Sequence, residues 1–272
     1  MNKKLLLVYL IILIILIIIA QLIIPKQNKE NNSFTEQLKK ISYYKKENLS
    51  RYLSYKQLNN NLSINEIITN VNIGLDNPYY TNTKETTIKD PILILVNKYN
   101  YLKDNYIPSN LETINEKYST SQLKLVLEAK LAFEQLSEEA AKHNLNIKAM
   151  SAYRSYTYQE TLYNRYVQKD GSIKADTYSA RPGHSEHQTG LAVDVHNTVL
   201  PYTSFDKTNE FTWMKENAHK YGFILRYPKD KTNITGYDYE PWHYRYVGIE
   251  HATYIYENNI TFDEYYIKYL DK

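Results

Sequence analysis

The 272-residue chain contains no cysteine, which excludes disulfides, iron–sulfur clusters, thiolate metal sites and cysteine nucleophiles together. Any transition metal must then rest on His, Asp or Glu. Neither sign of charge dominates. The 33 basic and 30 acidic side chains leave a formal charge of +3. No basic, aromatic-interleaved patch accompanies it, so nucleic acid is not an expected partner. No Walker A loop or dinucleotide fingerprint is present, which removes nucleotide binding. There is no H-E-x-x-H, the commonest zinc-protease helix motif. "GHSEH" ends on a histidine where the nucleophile elbow requires glycine. Three S-x-x-K tetrads begin at Ser42, Ser121 and Ser204, but no K-T-G accompanies them, so penicillin-binding serine chemistry is not expected.

What is present begins with a hydrophobic run, "LLLVYLIILIILIIIAQLII", from Leu5 to Ile24, broken only by Tyr9 and Gln21. A helix of that length, rising about 1.5 Å per residue, matches a hydrocarbon core of about 30 Å. The apolar part of a cleaved signal is shorter, and no small-x-small site follows here. A single-pass anchor is therefore expected over residues 5–24. Lys3 and Lys4 place residues 1–4 in the cytoplasm, and everything after Pro25 outside the cell, at the membrane. Residues 25–50 are polar and rich in Lys, Asn and Glu, which suits a tether. Residues 51–272 are expected to form one compact domain.

Within that domain Ser63 and Glu66 have the spacing of a capping box, flanked by Leu62 and Ile67 as a hydrophobic staple. Ile92 to Val96 reads as a short buried strand. Ser121 to His143 is the strongest helical pattern, with Leu125, Ala129, Ala132, Leu136 and Ala140 at helical spacing and Asn144 as its stop. A strand is expected over "NIKAMSAYRS", a helix between Ser155 and Gly171, and a strand over "GLAVDV". A further helix covers Glu210 to Lys220, ending at Gly222. "GFILRYP" and "DYEPWHYRYVG" read as strands, and two short helices close the chain. Helices and strands without strict β-α-β alternation indicate an α+β fold with a small, mainly antiparallel sheet.

The chemistry concentrates in "RPGHSEHQTGLAVDVHN", which holds three of the seven histidines. Strand alternation puts Leu191, Val193 and Val195 on one face and Asp194 on the other. His187 precedes Asp194 across Gly190, which lets the chain turn into the strand. "YEPWHYRYVG" adds Glu240, Trp242 and His243. A catalytic zinc keeps three protein ligands and one open position. His187, Asp194 and His243 supply such a set, and Glu240 is placed to exchange a proton with bound water. The spacing alone leaves His184 as a competitor to His187, and His196 as a further donor beyond Asp194. His143, His219 and His251 fall at or near helix ends or faces, where a solvated imidazole is the default.

In this order, "SAYRSYTYQ", "PGHSEHQTGLAVDV", "YGFILRYPKDKTNITGY" and "YEPWHYRYVG" resemble the VanY-type D-alanyl-D-alanine carboxypeptidases, zinc peptidases that trim peptidoglycan stem peptides. The resemblance runs from about Arg51 to the C-terminal region. It implies one zinc per chain on His187, Asp194 and His243, with His184 outside the ligand set. It further implies Glu240 as the catalytic base. Arg154 would stabilise the oxyanion or meet the peptide's terminal carboxylate. Gln159 and Ser185 would line the substrate cleft. Trp242 is grouped with them as a wall of the site, packing beneath it being the alternative. Ala152 replaces a glycine common in the family and leaves Arg154 intact. The expected partner is a peptidoglycan stem peptide. The readings held beside this one are an L,D-carboxypeptidase acting on tetrapeptides and a non-catalytic wall-binding module.

Overall fold

The computed structural model describes residues 3–271, with side chains at positions 7–14 and 26–271. The chain divides into two compact units, Met1–Asn72 with Asp271–Lys272, and Ile73–Leu270.

The first unit consists of helices α1 (Lys3–Leu38), α2 (Leu49–Leu58) and α3 (Ile64–Ile73). Its core is Phe34, Leu38, Tyr52, Ile67, Ile68 and Val71. The capping box at the start of α3 is formed: Ser63 N–H donates to Glu66 Oε2 at 2.7 Å and Glu66 N–H to Ser63 Oγ at 3.3 Å. Two expectations are corrected here. Residues 25–50 are not a tether throughout, because α1 continues to Leu38. Their polar composition hides Phe34 and Leu38, one helical turn apart, which pack into the core, with Ile41 partly buried against it just past the helix end. The expected domain start at Arg51 falls inside α2, which packs with α1 and α3. Among the described residues no helix is long and apolar enough to cross a membrane. The span expected over Leu5–Ile24 falls largely on side chains outside the described residues.

The second unit is α+β. A two-residue parallel pair joins β1 (Lys84–Glu85) to β2 (Asn100–Tyr101), and an antiparallel pair joins β3 (Leu111–Thr113) to β4 (Lys124–Val126). The main sheet contains β5 (Lys148–Ser151), β6 (Ala192–His196), β7 (Phe223–Leu225) and β8 (His243–Tyr246). It runs antiparallel in the order β5-β6-β8-β7. The helices are α4 (Leu127–Lys142), α5 (Tyr156–Asp170), α6 (Ser172–Tyr178), α7 (Asn209–Asn217), α8 (Thr232–Thr235), α9 (Ile249–Glu257) and α10 (Phe262–Tyr265).

Alternation in the strands determines what each face of the sheet carries. Leu191, Val193 and Val195 lie in the main core with Phe133 and Leu136 of α4, Phe223 of β7, and Tyr244 and Tyr246 of β8. The intervening positions, Asp194, His243 and Arg245, point to the opposite face.

Two element assignments change. Residues 121–126 do not open α4, because Lys124–Val126 pair with Leu111–Thr113 as strand. Residues 92–96 form no strand, although Ile94, Leu95 and Val96 are buried as a strand core would be. The carbonyls of Ile92 and Ile94 accept from the Arg245 guanidinium, at 3.0 and 2.8 Å, rather than from a neighbouring strand.

One glycine decides how the chain enters β6. Gly190 has φ +68°, and a Cβ there would lie 2.9 Å from Leu111 Cδ2 and 3.1 Å from Val126 Cγ2. Gly190→Ala is expected to lower unfolding stability by about 1–3 kcal/mol, read by urea denaturation. Unchanged stability would show that this turn is not held as described.

Candidate metal centre and cleft

Antiparallel pairing of β6 with β8 sets Asp194 directly opposite His243. His187 reaches the same point from a short 3₁₀ turn, Glu186–Thr189, that Gly190 ends. The three side chains are buried, and their ligand atoms lie within 4.8 Å of one another. His243 Nδ1 stands 2.9 Å from Asp194 Oδ1, and His187 Nε2 stands 3.3 Å from Asp194 Oδ2.

The other nitrogen of each ring is occupied. His187 Nδ1 lies 2.7 Å from the Ala152 carbonyl, and His243 Nε2 lies 3.3 Å from Glu186 Oε2. The nitrogens facing the centre are thus His187 Nε2 and His243 Nδ1. His187 Nε2 is a buried polar atom without a hydrogen-bond partner, since its approach to Asp194 lacks bonding alignment. An unpartnered imidazole nitrogen beside a carboxylate and a second imidazole is the donor set of a catalytic zinc site. The site residues fit the ion.

Protonation follows from burial and neighbours. Burial, with Arg154 adding to it, pushes His187 down to about 4, so its Nε2 lone pair is free. Burial opposes charge on His243 as well, but hydrogen bonds to Asp194 and Glu186 outweigh it and raise His243 to about 9. Asp194 is buried too, yet the two imidazoles hold it well below the usual carboxylate range. Burial raises Glu240 to about 8. A metal must displace the His243 proton, and a dication favours an ionised Glu240. Zinc uptake is therefore expected to release about one proton between pH 8 and 9, rising toward two below pH 8. Titration in dilute indicator buffer measures this. Release of none would contradict the protonation scheme.

Glu240 lies in the turn before β8, with its N–H bonded to the Tyr227 carbonyl at 3.1 Å. Its Oε2 is 3.9 Å from His243 Nδ1, so the carboxyl borders the metal position without belonging to the ligand set. Arg154 sits between β5 and α5. Its N–H donates to the His187 carbonyl at 3.1 Å, one terminal nitrogen donates to Gln159 Oε1 at 2.9 Å, and the other lies 3.7 Å from Asp194 Oδ2. Gln159 in turn donates to the Ala180 carbonyl at 2.7 Å. Its amide is therefore engaged in aiming the guanidinium.

All eight residues singled out from sequence line one cavity of about 420 Å³: Arg154, Gln159, Ser185, His187, Asp194, Glu240, Trp242 and His243. Tyr158, Tyr166, Tyr178 and Tyr202 extend its wall, and Trp242 packs edge-to-face on Tyr202 at 4.9 Å. The competing histidines are elsewhere. His184 Nδ1 lies 2.8 Å from the Asn97 carbonyl and its ring abuts Tyr80, while His196 ends β6 outside the cavity. His219 stacks on Tyr256, His251 meets the Tyr265 hydroxyl, and His143 is exposed beside Glu139.

Sequence reasoning missed Glu186, Arg226 and Arg245, which lie fully buried behind His243. The period of two in "HYRY" was the available signal, since it puts Arg245 on the same face as His243.

Residues 122–249 match the model of a family described as D-alanyl-D-alanine carboxypeptidase, VanY. YodJ of Bacillus subtilis, named as a carboxypeptidase, is 39% identical over 212 residues, covering 73% of this chain and 78% of its own. This chain belongs to the VanY family. A D-alanyl-D-alanine carboxypeptidase of Enterococcus faecalis is 36% identical, covering 64% of this chain and 65% of that protein. Among solved structures, the LD-carboxypeptidase LdcB superposes with a TM-score of 0.64 at 39% identity, covering 69% of this chain and 91% of that one. The D,D-pentapeptidase VanY from a VanB-type resistance cassette, crystallised with Zn(II), gives 0.57 at 34% identity, covering 65% and 99%. The VanY-family fold is thus an α+β carboxypeptidase domain, and this chain is a metallo-carboxypeptidase of that kind.

Proposed function

We propose that this VanY-family enzyme is a zinc-dependent D-alanyl-D-alanine carboxypeptidase that removes the C-terminal D-Ala from peptidoglycan stem peptides. The observation that carries this is the buried His187–Asp194–His243 set with a carboxyl, Glu240, beside it but outside it. A binding module has no need of that second carboxyl. A VanY-type structure in complex with D-alanine-D-alanine is 33% identical to this chain, with a TM-score of 0.58.

Zinc at this site supplies an acidified water and polarises the scissile carbonyl. The chain's own groups do the rest. Glu240, buried and lifted toward neutrality, takes a proton from the attacking water and returns it to the departing amine. Arg154, held by Gln159, directs its guanidinium into the cavity, where it meets the developing oxyanion or the substrate's free carboxylate. Ser185 and Trp242 bound the space for the terminal residues.

The reading extends to location. The run Leu5–Ile24 supports a single-pass anchor with the enzyme outside the cell, and the described side chains of residues 7–14 are solvent-exposed and, apart from Tyr9, apolar. A second reading, L,D-carboxypeptidase action on tetrapeptides, is favoured by the likeness to LdcB. Incubating the full chain, in detergent, with synthetic pentapeptide and tetrapeptide stems tests both. D-Ala release from the pentapeptide, lost with a chelator and restored by zinc, is expected. Release from the tetrapeptide alone selects the second reading, and release from neither overturns both.

A further inference from the structure

The zinc ligands His187 and His243 are backed differently. His187 rests on a neutral backbone carbonyl, whereas His243 rests on the carboxylate of Glu186, which has no exposed side-chain surface. Glu186 Oε1 is taken by two guanidiniums, Arg226 Nε at 2.8 Å and a terminal nitrogen of Arg245 at 3.0 Å. Its Oε2 is left facing His243 Nε2. Arg226 is itself held by Asp263 of α10 at 2.6 Å, and Asp263 accepts from the Asn97 amide at 2.7 Å. Arg245 is pinned by the Ile92 and Ile94 carbonyls. Two arginines and two carboxylates thus balance in charge, with every member fixed to a different segment.

We propose that Glu186 is a positioning residue for the zinc site, with Arg226, Arg245 and Asp263 as the frame that holds it. The inference rests on His243 being a zinc ligand. A carboxylate accepts and never donates, so it specifies a proton on His243 Nε2 and leaves Nδ1 as the metal-facing lone pair. With Oε1 locked by two arginines, Oε2 cannot swing away from the ring. Mere stabilisation is a weak account of the cluster, because buried ion pairs can often be replaced by apolar side chains at no loss. The frame also reaches beyond the matched family region, residues 122–249. Asn97 precedes it and Asp263 follows it. The segment around residues 92–97 and the C-terminal helix α10 are therefore part of the support for the metal.

The test is zinc affinity, by competition with a chromophoric chelator, on the full chain and two variants. Glu186→Gln removes the charge and leaves one guanidinium charge unbalanced, since Asp263 still offsets the other. The double variant Glu186→Gln/Arg245→Met restores the balance and keeps the core filled. Both are expected to bind zinc about 10–100-fold more weakly. The double variant should unfold, metal-free, within a few degrees of the parent. A folded variant with parental zinc affinity overturns the proposal, and the double variant decides if the single one does not fold. Nitrogen-15 NMR of the unaltered zinc-loaded protein gives an answer that needs no variant. It should show His243 protonated at Nε2 and coordinating through Nδ1, and the reverse overturns the inference. A parent protein that binds no zinc sinks the metal-site reading instead, which separates the two failures.

Discussion

Glu240→Gln is expected to lower kcat by about 10²–10⁴-fold while zinc stays near one ion per chain, and Glu240→Ala to abolish turnover. Glu240 is buried, raised to about 8, and borders the ligand set at 3.9 Å from His243 Nδ1. Gln keeps that shape and removes only the ability to take and return a proton. KM should change little, since the amide still fills the same space. Stopped D-Ala release assays combined with metal analysis separate the two quantities. Retained activity at full zinc occupancy would remove Glu240 from the role of base. Loss of zinc in step with activity would instead make Glu240 a structural support of the metal.

Asp194→Asn should act on the metal itself. Asp194 faces His187, His243 and Arg154, at 3.3, 2.9 and 3.7 Å, which places it to serve as both ligand and counter-charge. An amide keeps the volume and loses the charge. Zinc affinity should fall by more than the about 10–100-fold expected for a residue behind a ligand, and activity should fall to background. The metal-free protein should also lose about 3–5 kcal/mol, because a buried partner of two cationic groups is gone. Zinc titration and denaturant unfolding measure the two effects independently. Parental zinc affinity in this variant would exclude Asp194 as a ligand.

How much of this was legible beforehand differs by scale. The site was legible because its ligands sit on local patterns: a glycine-ended turn into an alternating strand for His187 and Asp194, and a compact E-P-W-H segment for Glu240 and His243. Their convergence required the β6–β8 register, which sequence spacing does not encode; the resemblance to VanY-type enzymes implied the ligand set but not this pairing. Phe34 and Leu38 were missed because their neighbours are polar, and helical burial needs only one residue in three or four. Ile92–Val96 reads as a strand because it is a short continuous apolar run, and the structure buries Ile94, Leu95 and Val96 without pairing them as one. The Arg245 side chain, a non-local donor, takes the backbone bonds a strand would need. Glu186 and its arginines were missed for a related reason. Charged residues are expected in water unless a partner is known, and these partners come from segments 40 and 59 positions away.

Anomalous diffraction at the zinc edge, on crystals of the zinc-loaded protein, tests the central claim most directly. One peak is expected, about 2.0–2.2 Å from His187 Nε2, an Asp194 carboxylate oxygen and His243 Nδ1, with the Glu240 carboxyl outside bonding distance. A peak bound through His184 or His196, through His243 Nε2, or by Glu240 would contradict it.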